Sequence, residues 1–182
     1  ICSKEMCFAL MGISINDTLL DTIVNDMIQK TVEINNCACS AIISNPLSDY
    51  LKLADTYQKL KEGFHIRMIR KQQWQCIFLD ELQYDRIMLH ISEDTEVHQF
   101  IRCKLGPLVE YDRAHDTQLL ETLEALIQNH NSRKLAAESL FLHRNTMVHR
   151  INKIEEVLHC SLDDTEIMEQ LEFAIKMKMY AH

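Results

Sequence analysis

Three glycines (Gly12, Gly63, Gly106) and two prolines (Pro46, Pro107) in 182 residues constrain this chain more than any other feature. A sandwich or barrel of short antiparallel strands needs many tight turns, which glycine and Asn-Gly pairs supply. This chain can build few of them, so helices joined by short loops are favoured. No two glycines lie within six residues of each other, which removes a glycine-rich phosphate cradle. Rossmann and P-loop chemistry are excluded on that ground. Apolar residues at 47% and charged residues at 25% suffice for a real core, so disorder is not the expected main state. The length admits one or two small domains.

Seven cysteines, at positions 2, 7, 37, 39, 76, 103 and 160, make an odd set without a Cys-x-x-Cys pair. That pattern predicts reduced thiols in a cytoplasmic protein rather than a secreted disulfide framework. Cys37 and Cys39 would share one face of a strand. No apolar run approaches the roughly 18 residues of a membrane span, so no membrane partner is expected. The chain opens on Ile1 and reads as a fragment of something longer. His143 and His149 are six apart, the wrong interval for two metal ligands on one helix face. Asp163, Asp164 and Glu166 read as a capped helix start rather than a cation site. No catalytic set can be assigned from residue order, and no metal or cofactor is expected. The chain reads as a non-enzyme.

The formal net charge is −8, which argues against nucleic acid only until it is divided along the chain. Residues 1–80 carry net −1, residues 81–129 net −6 and residues 161–182 net −3. Residues 130–160 carry net +2, from Arg133, Lys134, Arg144, Arg150 and Lys153 against three glutamates. Four of the nine histidines fall in the same window. Phosphate binding is a local electrostatic matter, so this window counts for more than the sum.

The front of the chain alternates. Cys7–Ile13 reads as a buried strand, and Leu19–Ile34 as a helix with a stripe of Leu20, Ile23, Val24, Met27, Ile28 and Thr31. Cys37–Ser44 reads as a second strand closed by Asn45-Pro46. Ser48 caps a helix that carries Leu51, Leu53, Ala54, Tyr57 and Leu60 to a stop at Gly63. A third strand is expected at His65–Ile69. Trp74, the one tryptophan, reads as an anchor between the two halves.

Beyond residue 80 the pattern is helical. One helix is expected over Leu82–Ile91. A second starts near Asp94 with Val97, Phe100, Ile101 and Leu105 on one face and stops at Gly106-Pro107. A third follows Asp116 with Leu119, Leu120, Leu123, Leu126 and Ile127. The last spans Glu166–Tyr180 with Ile167, Leu171, Ala174, Ile175 and Met179 inward.

The stretch from Ser132 to Leu158 carries the function. Ser132 caps a short helix whose inner face is Leu135, Ala136, Ser139 and Leu140, and the small alanines let a second helix cross closely. Phe141-Leu142-His143 is a tight connection. The second helix buries Met147, Ile151, Ile154 and Leu158. Its opposite face carries Arg144, Asn145, His149 and Asn152, with Thr146, Arg150 and Lys153 on the flanks. This is a helix-turn-helix. Arg pairs with guanine in bidentate fashion, Asn with adenine, and Thr meets a base acceptor or a thymine methyl. His143, Arg144, Asn145, Thr146 and His149 are therefore the expected base-contacting residues. Ser132, Arg133, Arg150 and Lys153 are expected at phosphate.

The run Leu-Phe-Leu-His-Arg-Asn-Thr-Met over residues 140–147, with Arg150 and Ile151 after it and Leu119–Leu123 before it, resembles the C-terminal helix-turn-helix of the PucR/CdaR family of bacterial transcription regulators. The likeness covers roughly residues 108–180. It implies a module that binds double-stranded DNA as a homodimer, under an effector sensed by upstream domains absent from this chain. Val148 and His149 stand where the family more often has a basic residue and an aromatic. Phe8–Ser14 and Leu51–Gly63 resemble the second half of a GGDEF-type domain, which such regulators carry in degenerate form. Ser3–Cys7 has no glycine pair and one carboxylate, so the resemblance implies no cyclase activity.

The expected fold is α+β: a partial GGDEF-like α/β segment at residues 1–80, a helical linker at 81–110, and an all-α helix-turn-helix DNA-binding domain at 111–182. The expected function is sequence-specific DNA-binding transcriptional regulation through a recognition helix at about residues 143–158. The alternative is a degenerate GGDEF-type nucleotide-binding or interaction module without DNA binding.

Overall fold

The structure, a computed structural model, describes residues 17–35, 40–70 and 76–181. The strand expected at Cys7–Ile13, the Cys37–Cys39 pair and the Trp74 anchor lie outside the described residues. The chain divides into two compact units, residues 1–64 with 72–81, and residues 65–71 with 82–182.

In the first unit, α1 (Asp17–Asn35) buries Ile28, while Met27 is 42% exposed despite its place in the expected stripe. Strand β1 (Ala41–Ile43) pairs in parallel with β2 (Cys76–Phe78), Ile42 opposite Ile77. Asn45 Nδ2 donates to Asp80 Oδ2 at 2.5 Å just beyond the two strands. Asp49, not Ser48, supplies the cap after β1: its Oδ1 accepts from Leu51 N–H at 2.9 Å and closes a 3-10 turn.

Helix α2 (Leu53–Arg70) corrects the reading of Gly63 as a stop. Gly63 is buried inside the helix, and His65–Ile69, expected as a strand, is helical. Ile66 is wholly buried, so the apolar positions keep a helical period past the glycine. A glycine in mid-helix weakens propensity by about 1 kcal/mol, less than the burial of one large aliphatic side chain contributes.

The second unit is all-α beyond residue 82: α3 (Gln83–Ser92), α4 (Thr95–His115), α5 (Leu119–Gln128), α6 (Arg133–Ser139), α7 (Arg144–Leu158) and α8 (Thr165–Tyr180). One core joins α4 to α8 through Leu105, Leu108, Leu123, Leu126, Ala136, Met147, Ile151, Ile154 and Leu171. Along α8 the buried face runs through Met168, Leu171, Ala174, Ile175, Met177 and Tyr180, whereas Met179, expected inward, is 47% exposed. The stripe turns because Tyr180 must reach inward: its hydroxyl donates to buried Asp85 of α3. Asp164 caps α8, accepting from Glu166 N–H at 2.9 Å and Ile167 N–H at 3.4 Å, as the acidic start of that helix implies. Among the described residues no group of His, Cys, Asp and Glu could hold a metal ion, and no helix is long and apolar enough to cross a membrane.

Helix α4 does not stop at Gly106-Pro107 but runs through both. Leu105 and Leu108, one on each side, are fully buried, so packing holds both halves on one axis. Pro107 lacks the N–H that would bond to the preceding turn. A side chain on the residue before proline disfavours helical geometry, and glycine at 106 removes that conflict. Pro107 is exposed, and we expect Pro107→Ala to stabilise the protein by about 1–3 kcal/mol, because it restores the missing bond. Thermal melts check this; a lower melting temperature would mean that proline is preferred there.

Candidate nucleic-acid interface

Helix α6 starts at Ser132, whose Oγ accepts from Leu135 N–H at 3.4 Å. Ala136 and Ala137 are buried, which gives the close approach to α7 that small side chains permit. Leu135, expected inward, is 48% exposed and Ser139 is exposed as well, so the inner face of α6 is the alanine pair with Leu140 at its edge. Asn129 joins the end of α5 to α6: its Nδ2 donates to Ala125 O at 2.8 Å and to Ser139 Oγ at 3.3 Å.

His143 is the N-cap of α7, and its Nδ1 accepts from Asn145 N–H at 3.2 Å. That bond requires the proton of a neutral ring to sit on Nε2. Met147, Ile151 and Ile154 are buried, and Leu158 is partly so. Arg144, Asn145, Thr146, His149 and Asn152 are exposed along the other side.

The basic residues sort by what they already hold. Arg133 is paired with Asp163 at 2.8 Å, Lys134 with Glu138 at 4.0 Å and Lys153 with Glu156 at 2.9 Å. Lys153 also lies over the Tyr111 ring, and its bond to Glu156 raises its pKa first among the causes. Arg150, expected at phosphate, turns back onto α5: it donates to Thr122 Oγ1 and to Gln118 Oε1, both at 3.1 Å. Thr122 is itself buried and donates to Gln118 O at 2.7 Å. Among the described residues, Arg144 is the one Lys or Arg of residues 130–160 without a hydrogen bond or ion pair.

Residues 119–177, from the first residue of α5 into α8, match the model described as the PucR C-terminal helix-turn-helix domain. They form a PucR-family helix-turn-helix domain. The chain is 31% identical over 130 residues to the proline-responsive transcriptional activator PutR of Bacillus subtilis (strain 168), covering 71% of this chain and 32% of that protein. It is 32% identical over 91 residues to the purine catabolism regulatory protein of the same organism, covering 50% and 17%. The carbohydrate diacid regulator of Escherichia coli (strain K12) is 24% identical over 135 residues, covering 74% and 34%. The chain thus spans about a third or less of the length of these relatives. No solved structure gives a significant match.

One contact at the start of the matched residues had no signal in sequence spacing. Gln118, at the N-cap of α5, makes no side-chain cap bond, and Asp112 near the end of α4 caps α5 instead. Its carboxylate accepts from Leu119 N–H at 2.8 Å, Leu120 N–H at 2.9 Å and Thr117 Oγ1 at 2.6 Å. Burial alone would push this carboxyl up. The bonds from Leu120, Thr117 and Leu119 and the Arg150 charge outweigh burial and hold it below the usual carboxylate range. A depressed folded pKa contributes stability that is present above the unfolded value of about 3.9 and is lost as pH falls through the folded value. Asp112→Asn should therefore be less stable than the parent at neutral pH and show a shallower loss of stability on acidification. Denaturant midpoints taken from neutral pH down into acid test this, and parallel curves would refute it.

Proposed function

We propose that this chain is the DNA-binding end of a transcription regulator, reading double-stranded DNA through the first turns of α7. The supporting observation is the contrast among the polar groups of residues 130–160. Arg133, Lys134, Arg150 and Lys153 hold protein partners, while the side chains of Arg144, Asn145, Thr146 and His149 are exposed and unengaged. Unspent donors gathered on a helix N-terminal turn suit base edges in a major groove. In this reading Arg144, Asn145, Thr146 and His149 meet bases, with His143 beside them once its cap bond is made. Ser132, Arg133 and Lys153 serve phosphates: the solvent-accessible ion pairs of Arg133 and Lys153 exchange readily for a duplex backbone, and the Ser132 hydroxyl at the start of α6 can donate to a phosphate oxygen. Arg150 is a positioning residue. The chain acts inside the cell, as a homodimer, without enzymatic activity, under an effector bound elsewhere in the full-length protein. We read the helix-turn-helix domain as drawing α4 into its core through Leu105 and Leu108, so residues 82–110 act with 111–182 rather than as a separate linker. The parallel β1–β2 pair, joined through α2, supports a GGDEF-like origin for the first unit.

The test is fluorescence anisotropy on a duplex recovered by in vitro selection with this protein, against a random duplex. Arg144→Ala and Asn145→Ala should each reduce discrimination by roughly 1–3 kcal/mol. Affinity should fall steeply with salt, because released counterions scale with the phosphates neutralised. Unchanged discrimination in both variants would sink the placement of α7 in the groove.

A further inference from the structure

Helix α6 ends in a Schellman arrangement. Phe141 N–H donates to Glu138 O at 3.1 Å, and Leu142 N–H donates to Ala137 O at 2.8 Å. Phe141 itself sits in the left-handed region at φ 54°. Three other helix ends use the same backbone conformation, at Asp116 after α4, His130 after α5 and His159 after α7, each with φ 52°. Aspartate and histidine tolerate that region better than most residues. Phenylalanine does not, and the turn gives no reason for it. Packing gives none either, because Phe141 is 98% exposed, the highest value among the large apolar residues described. The ring is held in water by a strained backbone two residues before the cap of α7. It lies at the same end of that helix as the unengaged Arg144 and Asn145. The left-handed turn serves the helix end, but a phenylalanine side chain there has neither a conformational nor a packing benefit inside the chain, which points outward, to something the ring meets.

We propose that Phe141 is a DNA-contacting residue whose ring packs on an apolar face of the duplex, a thymine C5-methyl or a deoxyribose, beside the bases met by Arg144 and Asn145. This rests on the reading of α7 as recognition helix. A phenyl ring neutralises no phosphate, so its contact adds affinity without adding salt dependence.

Phe141→Gly separates this role from a structural one. Glycine relieves the left-handed strain, so the variant should melt higher than the parent while binding the selected duplex about tenfold more weakly, at an unchanged salt slope. Phe141→Leu should keep part of the affinity. Replacing thymines one at a time with deoxyuridine distinguishes the two apolar faces. A methyl partner weakens the parent at one position and leaves Phe141→Gly unaffected there, whereas a deoxyribose partner gives no such position. Phe141→Gly binding within twofold of the parent, while Arg144→Ala loses discrimination, would overturn this inference and leave the recognition helix standing. A lower melting temperature with binding lost in step would make the ring structural and also overturn it. Failure of the parent protein to bind any duplex would remove both.

Discussion

Ile151→Asp is expected to unfold the helix-turn-helix unit, not merely to weaken what it binds. Ile151 is fully buried in mid-α7, between Met147 and Ile154, in the core shared with α4, α5, α6 and α8. Truncating a buried isoleucine alone costs about 2–5 kcal/mol. A carboxylate in its place must stay protonated against its ordinary pKa or sit charged without a partner, which costs several kcal/mol more. Domains of this size are stable by only about 5–15 kcal/mol. Circular dichroism should show lost helix and no cooperative melt, with DNA binding gone as a consequence. Ile151→Val, about 1 kcal/mol in cost, is the control that should fold and bind. An aspartate variant with the parent's melting temperature would show that the buried face of α7 lies elsewhere.

The second large effect belongs to Asp85. This residue is 2% exposed, receives Arg70 Nε at 2.6 Å and accepts from the Tyr180 hydroxyl, so it ties together α2, α3 and α8 within the second unit. Asp85→Ala leaves a half-buried guanidinium and a buried hydroxyl without that carboxylate, and loss of one partner from such a set costs about 3–5 kcal/mol. Burial first, and then the bond to Asp85, pushes the Tyr180 hydroxyl up to about 12. A raised folded pKa on a group that is neutral when protonated stabilises below the unfolded value of about 10 and ceases to as pH rises through about 12. Chemical denaturation should register the loss at neutral pH, and ultraviolet titration should show one phenol ionising earlier in Asp85→Ala. Asp85→Asn, which keeps an acceptor but no charge, should fall between. A neutral result in both variants would mean that the network contributes geometry and no stability.

The sequence made legible what periodicity can carry. The stripes of α5 and α7 repeat every three or four residues, and the Ser132 and Asp164 caps act within three, so local pattern suffices. Gly63 and Pro107 were misleading for the opposite reason. Each is a genuine local breaker, overridden by Ile66, Leu105 and Leu108, whose burial depends on elements far along the chain. The Met177 and Met179 exchange follows from Tyr180 reaching Asp85, a partner 95 residues away. Asp112 capping α5 and Arg150 reaching Gln118 and Thr122 depend on two helices meeting at a particular depth. The unengaged state of Arg144 was invisible for the same reason: a basic window does not reveal which of its charges are already occupied.

In the DNA-reading role proposed for α7, Arg150 has a kinetic meaning as well as a structural one. A recognition helix that wobbled would have to lose its rotational freedom when a duplex arrived, and that ordering would be subtracted from affinity. Two bonds from one guanidinium to α5, at points one helical turn apart, hold α7 against both rolling and sliding before any encounter. The entropy is already surrendered on folding. Association then becomes the docking of a rigid body, limited by orientation and charge, and differences between cognate and wrong sequences should appear in how long the complex lasts.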